Sequence, residues 1–342
     1  MKTYAEAGVD RELRSKAKKH LVNLKSTFSL SKYGKIVETP FNTLYPIGND
    51  MFHVKTSDGV GTKVLLAQLA EKHDTIGIDA IAMVVNDCIR CGAQPIAITD
   101  IIDIKRSEPE VIEELQKGLN EGAQQSGCPL VGGEIADVPE IMNAFYHINC
   151  DCVGEVEKDN IITGEKIKVG DVIIGLKSSG VHSNGISLLR KTLFKEWGGK
   201  YDAFANFDDF DKELIYESLE PTKIYVKPFL KVAKEINILG AVNVTGDAYL
   251  KFKKITRFGF EFNNFKPQPI FKLIQNCGNI ETKEMASTFN LGWGFALIVN
   301  KKDVDKTLDI LEKGKVHTEV IGKITGKKRI VVIKYKNEKV IL

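Results

Sequence analysis

The sequence predicts an α/β protein of the α+β type, divided into two domains. Its 342 residues are too many for one compact core. Alternating apolar runs, which predict strands, are mixed with helical patterns but not in strict strand–helix–strand order, so two mixed domains are favoured over one doubly wound sheet. The second half repeats the order of the first, because in each half a strand leads into a glycine-rich turn and then a helix. The polar, turn-rich stretch 162–171 separates them, and the predicted domains are residues 1–165 and 166–342.

Composition and charge exclude several classes of protein. Lys plus Arg number 48 and Asp plus Glu 45, and this near balance is not that of a nucleic-acid-binding protein. The N-terminal segment is polar, and no apolar run approaches the length of a membrane span. Six cysteines, of which only Cys88 and Cys91 form a CxxC pair, are predicted to be reduced thiols. We expect a cytoplasmic protein with no nucleic-acid and no membrane partner.

The elements of the first half follow from apolar periodicity. Thr75 to Cys91 is predicted to be a buried helix, and Asp79 and Asn86, seven positions apart, share one of its faces. Ser107 is predicted to cap a helix that extends to Ser126. The other predicted elements are a helical arm over the first twenty residues, a strand at Met51, a helix from Val64 to Lys72, a strand Pro95–Ile102, a short strand Pro129–Val131 that ends in the loop GGEIAD (132–137), and a strand Phe145–Val156.

The second half is predicted in the same way. The strand Val172–Leu176 leads into the loop SSGVHSNG (178–185) and a helix from Ile186 to Trp197. A strand Leu239–Val244 is followed by TGDAY (245–249), whose first residue, Thr245, can cap a short helix. The remaining predicted elements are helices within 208–236, Pro269–Asn276 and Asp303–Lys313, and strands Phe258–Phe262, Gly294–Val299, Val320–Ile324 and Arg329–Lys334.

The stretch TSDGVGTK (56–63) predicts a phosphate site that follows neither common glycine-rich pattern. A P-loop is excluded because Lys63 is preceded by Thr62, and a dinucleotide fingerprint because its third glycine is missing. A strand that feeds a turn and a helix is still a natural anion site, because free backbone N–H groups point outward there. Asp58 suits a phosphate only if a divalent cation lies between them. A plain turn is the alternative interpretation of this stretch alone.

Two further groups of residues suggest metal binding, phosphate binding or proton transfer. Acids follow apolar strands or lie within one buried helix, a pattern typical of a magnesium-and-phosphate site; the alternative is that each is a helix cap or a surface ion pair. In the second half, His182 lies in a loop of small residues and suits proton transfer or phosphate contact, although Ser183 or Asn184 could equally cap the following helix. The acids concerned are Asp58, Asp79, Asp87, Glu134 and Asp137.

Seven motifs, in this order, resemble those of the aminoimidazole ribonucleotide synthetases, also called phosphoribosylformylglycinamidine cyclo-ligases. The resemblance covers nearly the whole chain, and although each motif alone is weak, seven in register are highly specific. The motifs are YAEAGVD (4–10), DGVGTK (58–63), HDTIGID with VND (73–87), QSGCPLVGGE (125–134), SSGVHSNG (178–185), PTKIYVKP (221–228) and STFNLGWG (287–294).

The resemblance implies a homodimer whose N-terminal domains, each with a mixed sheet, form the dimer and the ATP site, while the C-terminal α/β domain closes the cleft. It implies ATP-dependent cyclisation of formylglycinamidine ribonucleotide to aminoimidazole ribonucleotide, ADP and phosphate in purine biosynthesis. ATP would phosphorylate the formyl oxygen, and the amidine nitrogen would close the ring as phosphate leaves. The implied cofactors are ATP and Mg²⁺.

Residue roles follow from the motifs and the resemblance together. The candidate nucleotide-binding residues are Asp58, Gly59, Gly61, Thr62, Lys63, Asn86, Asp87, Gly132, Gly133 and Glu134, of which Asp58, Asp87 and Glu134 are also candidate metal ligands. The candidate substrate-binding residues are Ser183, Asn184 and Gly246, and the candidate catalytic residues are His182, Thr245 and Asp247.

The sequence departs from the family pattern in one place. Many members carry His-x-Thr-Gly-Gly-Gly where this chain has NVTGDA (243–248), so a histidine role cannot be transferred to Asn243. Asp247 is expected to orient the cationic amidine of the substrate; a metal contact for Asp247, or a purely structural cap at Thr245, are the alternatives.

Other activities remain open at this point. Selenophosphate synthetase, thiamine-monophosphate kinase and the hydrogenase-maturation dehydratase share the ATP chemistry, but the first usually carries a reactive Cys or selenocysteine in a glycine-rich N-terminal segment, and this chain shows none. A non-catalytic nucleotide-binding subunit is disfavoured by the presence of Asp58, Lys63, Asp87 and His182.

Overall fold

Two mixed β-sheets, one in each half of the chain, carry the fold. A computed structural model describes residues 3–342, without the side chains of residues 19–24. The strands of the first sheet are β1 (Val37–Glu38), β2 (Thr43–Gly48), β3 (Met51–Gly59), β4 (Gln94–Ile104), β5 (Leu130–Asp137) and β6 (Tyr146–Glu157). Their order is β1-β2-β3-β6-β4-β5, and only the β4–β5 pair is parallel.

The second sheet has seven strands. They are β7 (Val172–Lys177), β8 (Gly240–Asn243), β9 (Gly259–Phe262), β10 (Trp293–Val299), β11 (Thr318–Thr325), β12 (Val331–Tyr335) and β13 (Glu338–Ile341). Their order is β13-β12-β9-β11-β7-β10-β8, with one parallel pair, β9–β12. The predicted fold class, two α+β domains with a mixed sheet in the first, is therefore confirmed.

Ten α-helices accompany the sheets in the described part of the chain. They are α1 (Arg11–His20), α2 (Val64–Ala70), α3 (Asp74–Ile89), α4 (Pro109–Ser126), α5 (Ile186–Leu193), α6 (Leu214–Ser218), α7 (Val226–Ala233), α8 (Pro269–Gly278), α9 (Thr282–Thr288) and α10 (Val304–Lys313). Helices α3 and α4 meet through glycines, because a Cβ on Gly77 would lie 2.2 Å from the Leu119 nitrogen and one on Gly118 would lie 2.0 Å from the Asp74 oxygen. This close contact fixes α3, which carries several candidate site residues.

One face of the first sheet is packed and the other is exposed. Val54 and Ile98 are buried on the packed face, where the Thr56 hydroxyl donates a hydrogen bond of 2.9 Å to the Val84 carbonyl of α3. Lys55 and Ile101 lie at positions of opposite parity and are exposed. The alternation of buried and exposed residues that predicted these strands therefore describes a sheet with helices on one face.

Several elements differ from the sequence predictions. The GGEIAD stretch is not a loop but most of the edge strand β5, because pairing with β4 overrides the turn preference of its glycines. Ser107 does not cap α4: the cap position is Glu108, and the Ser107 hydroxyl bonds to Asp137. The sequence predictions missed the strands β1, β2 and β13 and the helix α9.

The segment between the sheets contains only one short 3₁₀ helix, Lys158–Asn160, and otherwise follows an irregular path from Glu157 to Val172. This agrees with a linker at 162–171. The domain bounds 1–165 and 166–342 stay a proposal.

A buried ion pair joins the two domains. The Lys63 ammonium lies 2.7 Å from Oδ2 of Asp79, and neither side chain has any exposed surface. Lys63 also donates a hydrogen bond of 2.8 Å to the Glu220 carbonyl in the second half. Oδ1 of Asp79 accepts hydrogen bonds from the Thr222 backbone, at 2.7 Å, and from the Ser183 hydroxyl, at 3.0 Å. Two side chains of the first domain therefore bind directly to the second.

Asn86, on the same face of α3 as Asp79, completes this anchor. Its Nδ2 donates a hydrogen bond of 2.8 Å to the Lys223 carbonyl, and its Oδ1 accepts one of 2.9 Å from the Tyr225 backbone. The prediction that Asp79 and Asn86 share a face is confirmed, and that face holds the segment 221–225 of the other domain. We call Lys63, Asp79 and Asn86 the interdomain anchor.

The first prediction concerns this anchor. Lys63→Met leaves the Asp79 carboxylate buried without a counter-charge, and we expect the free energy of unfolding to fall by about 3–5 kcal/mol. Chemical denaturation measures it. Lys72→Met is the matched control, because Lys72 forms an exposed ion pair with Asp74 at 2.8 Å, whose loss costs about 1 kcal/mol or less. The double variant Lys63→Met/Asp79→Leu is expected to regain part of the stability. A Lys63→Met protein as stable as the Lys72→Met protein contradicts the prediction.

Candidate active site

The candidate active site is the cleft between the domains. The turn 58–63 of the first domain faces the start of α5, and the Thr62 hydroxyl lies 3.1 Å from the Ser187 hydroxyl. On the side of the second domain, Oδ1 of Asn184 lies 3.5 Å from the position that a Cβ on Gly246 would occupy. Three segments that the sequence singled out, 58–63, 182–185 and 245–247, therefore meet at one cleft.

Asp87 links both sides of this cleft. Its Oδ1 lies 2.8 Å from Nη1 of Arg90 and accepts a hydrogen bond of 2.8 Å from Nδ2 of Asn243. Asn42 donates hydrogen bonds to the Asp87 carbonyl, at 3.2 Å, and accepts one from Nε of Arg90, at 2.9 Å. Asn243 thus serves as a partner of the acid on the other domain.

Asp58 lies in the same electrostatic environment as Asp87. Partial desolvation raises the pKa of the Asp58 carboxyl group; a hydrogen bond of 2.8 Å from the Gly59 backbone opposes this, and the negative charge of Asp87 raises the pKa further. The residue itself is accessible to solvent. Two neighbouring carboxylates that repel each other are a suitable donor set for a divalent cation, which would relieve that repulsion.

Glu134, the third candidate metal ligand, is not brought together with them. Its register partner Ile101 lies on the exposed face of the sheet, whereas Asp58 belongs to the row that includes Cys150 and Asp100 on the packed face. Three strand spacings, roughly 14 Å, also separate β3 from β5. Residues 3–342, as far as they are described, contain no group of three His, Cys, Asp or Glu side chains that could hold a metal ion. The structure therefore supports a pair of acids and not the predicted trio.

Asp100 is an acid that the sequence analysis missed. It is buried on the packed face of β4, between Ile98 and Ile102, and burial raises the pKa of its carboxyl group. A Cβ on Gly133, a candidate nucleotide-binding residue, would lie too close to Oδ1 of Asp100, so the glycine leaves room for this carboxylate. An acid at an apolar position of a strand is the signal that could have identified it. Gly132 lies beside Gly133 in β5.

Lys63 and Asn86 are engaged in the interdomain anchor. The Lys63 ammonium is fully buried, and both polar atoms of the Asn86 side chain bond to the backbone of the other domain. The predicted contact of Lys63 with the phosphates of ATP therefore finds no support in this arrangement. Gly59 and Gly61 remain in the turn, where Gly61 has a φ of 68° that favours glycine.

His182 is buried and neutral. Burial, and then the charges of Lys63 and Lys223, lower its pKa to about 3. Its Nε2 accepts a hydrogen bond of 3.3 Å from the Ser179 backbone, which places the ring proton on Nδ1. Nδ1 has no partner among the described residues. A neutral donor of this kind suits orientation of a ligand or a loop better than the predicted transfer of a proton.

The candidate substrate-binding residues differ in whether their side-chain polar atoms are available to a ligand. The Ser183 hydroxyl is bonded to Asp79 and lies 3.1 Å from the Thr222 hydroxyl, so the anchor already uses it. Nδ2 of Asn184 is buried and has no partner within the described chain. Asn184, beside Gly246, therefore offers a donor to a ligand in the cleft.

The loop 245–247 does not form the predicted cap. The helix that follows is a 3₁₀ helix, Ala248–Lys254, whose cap position is Asp247 with a φ of 66°, and no side chain caps it. Oδ1 of Asp247 instead lies 3.5 Å from Nε of Arg11 and 3.1 Å from Nη2 of Arg14. The expected contact of Asp247 with the substrate amidine thus competes with an ion pair to the N-terminal arm.

The arm, residues 3–18, is docked on the second domain. Arg11 bonds to Glu284 through Nη1, at 3.2 Å, and to the Ser287 carbonyl through Nη2, at 2.9 Å. Burial raises the pKa of the Tyr4 hydroxyl, while the charges of Arg14 and Arg11 and a hydrogen bond with the Gly185 backbone lower it. The arm therefore contacts both loops of the second domain that line the cleft.

Lys251 is the second residue that the sequence analysis missed. Its ammonium donates to the Asn243 carbonyl, at 3.2 Å, and to the Thr245 hydroxyl. Burial, together with the charge of Arg90, lowers its pKa to about 8, and the charges of Asp87, Asp247 and Asp58 counteract that shift. Lysine within an otherwise apolar helix start, YLKF (249–252), is the signal that could have identified it.

Comparison with known proteins gives matches to both halves of the chain. The family described as AIR synthase related protein, N-terminal domain, matches residues 42–156, and its C-terminal domain counterpart matches residues 168–334. The phosphoribosylformylglycinamidine cyclo-ligase of Pyrococcus furiosus is 42% identical over 341 residues, with 98% of each chain covered. That of Methanocaldococcus jannaschii is 39% identical over 355 residues, with 100% of each chain covered.

Solved structures show the same fold at lower identity. The crystal structure of the HypE–HypF complex matches with a TM-score of 0.64 and 18% identity, covering 87% of this chain and 92% of the other. Thermotoga maritima PurL complexed with ADP matches with a TM-score of 0.61 and 15% identity, covering 93% of this chain and 47% of the other. Within the described residues, none of the helices has the length and apolar character needed to span a bilayer.

The second prediction is a pH dependence set by His182. The pKa of His182 is about 3 in the folded chain and near the ordinary value of 6.5 in the unfolded chain. The unfolded chain therefore binds this proton first, so the stability is fully present above pH 6.5 and falls as the pH drops toward 3, by up to about 1.4 kcal/mol per pH unit.

His182→Asn removes the titrating group and tolerates the φ of 59° at this position. We expect it to flatten the dependence of the unfolding free energy on pH between about pH 5 and 6.5, a window above the range in which ordinary carboxyl groups titrate. Denaturant titrations at several pH values measure the slope. His317→Asn, at an exposed histidine, is expected to keep the parent's slope. The same slope in the His182→Asn protein and the parent contradicts the assignment.

Proposed function

The chain belongs to the phosphoribosylformylglycinamidine cyclo-ligase family and is an ATP-dependent ligase of purine biosynthesis, and we propose that its interdomain cleft closes the imidazole ring of formylglycinamidine ribonucleotide. The observation that carries the proposal is identity along the whole chain, 42% over 341 residues with the Pyrococcus furiosus enzyme. The cleft supports it, because acids, a buried lysine and unpaired donors converge there from both domains.

The proposed reaction has two steps. The formyl oxygen of the substrate attacks the γ-phosphorus of ATP, the bond from that phosphorus to the β–γ bridging oxygen breaks, and ADP leaves. The formamide nitrogen loses its proton as its oxygen is phosphorylated. The amidine nitrogen then attacks the activated formyl carbon and loses a proton, while the carbon–oxygen bond breaks and phosphate leaves. A proton shift from the ring methylene to the imino nitrogen gives the aromatic amine. The products are aminoimidazole ribonucleotide, ADP, phosphate and a proton, so atoms and charge balance without an oxidant or reductant.

The residues of the cleft fit these steps. Asp58 and Asp87 would hold Mg²⁺, which uses one or two carboxylates together with phosphate oxygens and waters, and the bound ion would supply neutralisation of phosphate charge. Nδ2 of Asn184, which has no partner within the described chain, would donate to the substrate. The arm is bound to the loop 245–247 through Arg11 and Arg14, and there it would exclude water from the activated formyl group. A cytoplasmic location stays a prediction of the sequence.

Formation of ADP that depends on formylglycinamidine ribonucleotide tests the proposal. Coupled measurement of ADP, with product identified by mass, is expected to show one ADP per ring closed. Selenide and thiamine monophosphate serve as alternative acceptors for the related activities and are expected to give no ADP above background. Formation of ADP with one of these acceptors, and none with the ribonucleotide, overturns the proposal.

The third prediction concerns the pair of acids. Asp87→Asn removes one carboxylate from the proposed metal site but keeps a polar group that can face Arg90 and Asn243, so the fold is expected to survive. The Mg²⁺ concentration for half-maximal activity should rise by about tenfold, because Mg²⁺ depends on few protein ligands. Steady-state rates at varied Mg²⁺ measure it, with Asp305→Asn on the exposed surface of α10 as the control. An unchanged Mg²⁺ requirement removes Asp87 from the site.

A homodimer formed by the first domains is part of the proposal. The open face of the first sheet exposes Ile101, 42% of whose surface is accessible, and Tyr45. The edge strand β5 adds Val131, with 62% accessible. Apolar side chains on an open sheet face beside an unprotected edge are a typical interaction surface, and a second copy of the chain would cover them symmetrically.

The fourth prediction tests this surface. Ile101→Lys places a charge at the centre of the open face, and we expect it to convert a dimer into a monomer, as measured by sedimentation equilibrium. Val169→Lys is the matched control, because Val169 is an exposed apolar residue in the linker, with 55% of its surface accessible. A parent protein that sediments as a monomer, or an Ile101→Lys protein that remains dimeric, contradicts the proposed interface.

A further inference from the structure

The cleft needs a cation for the phosphates of ATP, and Lys63 is not available in this structure. Its ammonium lies 2.7 Å from Asp79 and donates to the Glu220 carbonyl, and the side chain has no exposed surface. Moving it toward a ligand would leave the Asp79 carboxylate buried and unpaired, at a cost of several kcal/mol. Any side-chain cation that faces the transferred phosphoryl group beside the metal ion must therefore be a different residue.

Lys251 has the position that this task requires. It lies in the 3₁₀ helix directly after the loop 245–247, and its ammonium is held by the Asn243 carbonyl and the Thr245 hydroxyl. These two contacts use two of its three N–H groups, and no described residue uses the third. The stem is fixed, so a ligand that binds the remaining donor meets an ordered cation.

The surrounding charges indicate what such a ligand would be. Lys251 lies in the field of three acids, Asp87, Asp247 and Asp58, and of one cation, Arg90. None of the described carboxylates is within ion-pair distance of its ammonium. Asp87 is paired with Arg90, and Asp247 with Arg11 and Arg14. A cation among acids, without direct contact to any of them, suits an anion that is itself bridged to those acids by a metal ion. Phosphate oxygens have this chemistry.

We propose that the Lys251 ammonium contacts the terminal phosphates of ATP and stabilises the phosphoryl group during its transfer to the formyl oxygen. This inference rests on the proposed function of the cleft and names the residue that performs the role assigned to Lys63 from the sequence. Lys251 therefore acts as a catalytic residue, and Asn243 and Thr245 act as positioning residues that hold it.

Two substitutions distinguish an electrostatic role of the Lys251 ammonium from a purely structural one. Lys251→Gln keeps a donor for the Asn243 carbonyl and the Thr245 hydroxyl but removes the charge, whereas Lys251→Arg keeps the charge. Affinities for AMP-PNP and for AMP are measured by calorimetry in the presence of Mg²⁺, and neither measurement requires turnover. Lys254→Met, at an exposed lysine of the same 3₁₀ helix, is the matched control.

We expect Lys251→Gln to weaken AMP-PNP binding at least tenfold, to leave AMP binding within twofold, and to lower kcat by about 10²–10³, as the loss of one group facing developing charge does. Lys251→Arg should retain part of the AMP-PNP affinity and part of kcat, and Lys254→Met should match the parent in each quantity.

Normal AMP-PNP affinity and kcat in the Lys251→Gln protein overturn the inference, and so does a rise only in the KM for the ribonucleotide. If Lys251→Gln fails to fold, AMP-PNP affinity of the Lys251→Arg protein decides: at least one-tenth of the parent's affinity supports a charge contact, and a larger loss overturns it. A parent that makes no ADP with the ribonucleotide instead removes the proposed function, whatever the affinities are.

Discussion

The ion pair between Lys63 and Asp79 determines how the two domains meet, and the candidate site depends on that geometry. The pair is buried, and its partners extend it to Glu220, Thr222 and Ser183 of the second domain. Taking two charges out of water is unfavourable unless their geometry and hydrogen bonds are good, so such a pair contributes more to a unique arrangement of the domains than to stability. Asn86 adds two backbone contacts to the same segment. Because the anchor and the cleft share the turn 58–63 and the loop 182–185, the anchor sets the width of the cleft.

The periodicity of the sequence predicted those helices and strands that depend on local patterns. The faces of α3 followed from the seven-residue spacing of Asp79 and Asn86, and most of the strands of both sheets followed from alternation. The strand β5 was predicted too short because its glycines favour a turn, while its pairing with β4 is a tertiary contact that no local pattern reports. The resemblance to a known family supplied the activity, which no local pattern contained.

Side-chain partners were the part that the sequence could not supply. Lys63 follows a glycine turn, and that context suggests phosphate, but its actual partners are distant in the chain. Asp247 looked free to bind a cation of the substrate because the arginines that bind it lie in the arm. The φ of 66° at Asp247 lies in the left-handed region, which Asp tolerates better than most residues. The ion pairs with Arg11 and Arg14 give a physical reason for an acid at this position.

The acid Asp87, the half-buried Lys251 and the contact between the domains form one connected network. Asp87 of the first domain accepts a hydrogen bond from Asn243 of the second, and the Asn243 carbonyl in turn accepts one from Lys251. A displacement of the domains would therefore break the contact that aligns the acids with the cation, even if each domain stayed folded. Groups that must act on the same phosphate need to be fixed relative to each other to within a fraction of an ångström. The proposed site takes groups from both domains, so the interdomain anchor would position residues that it does not itself touch.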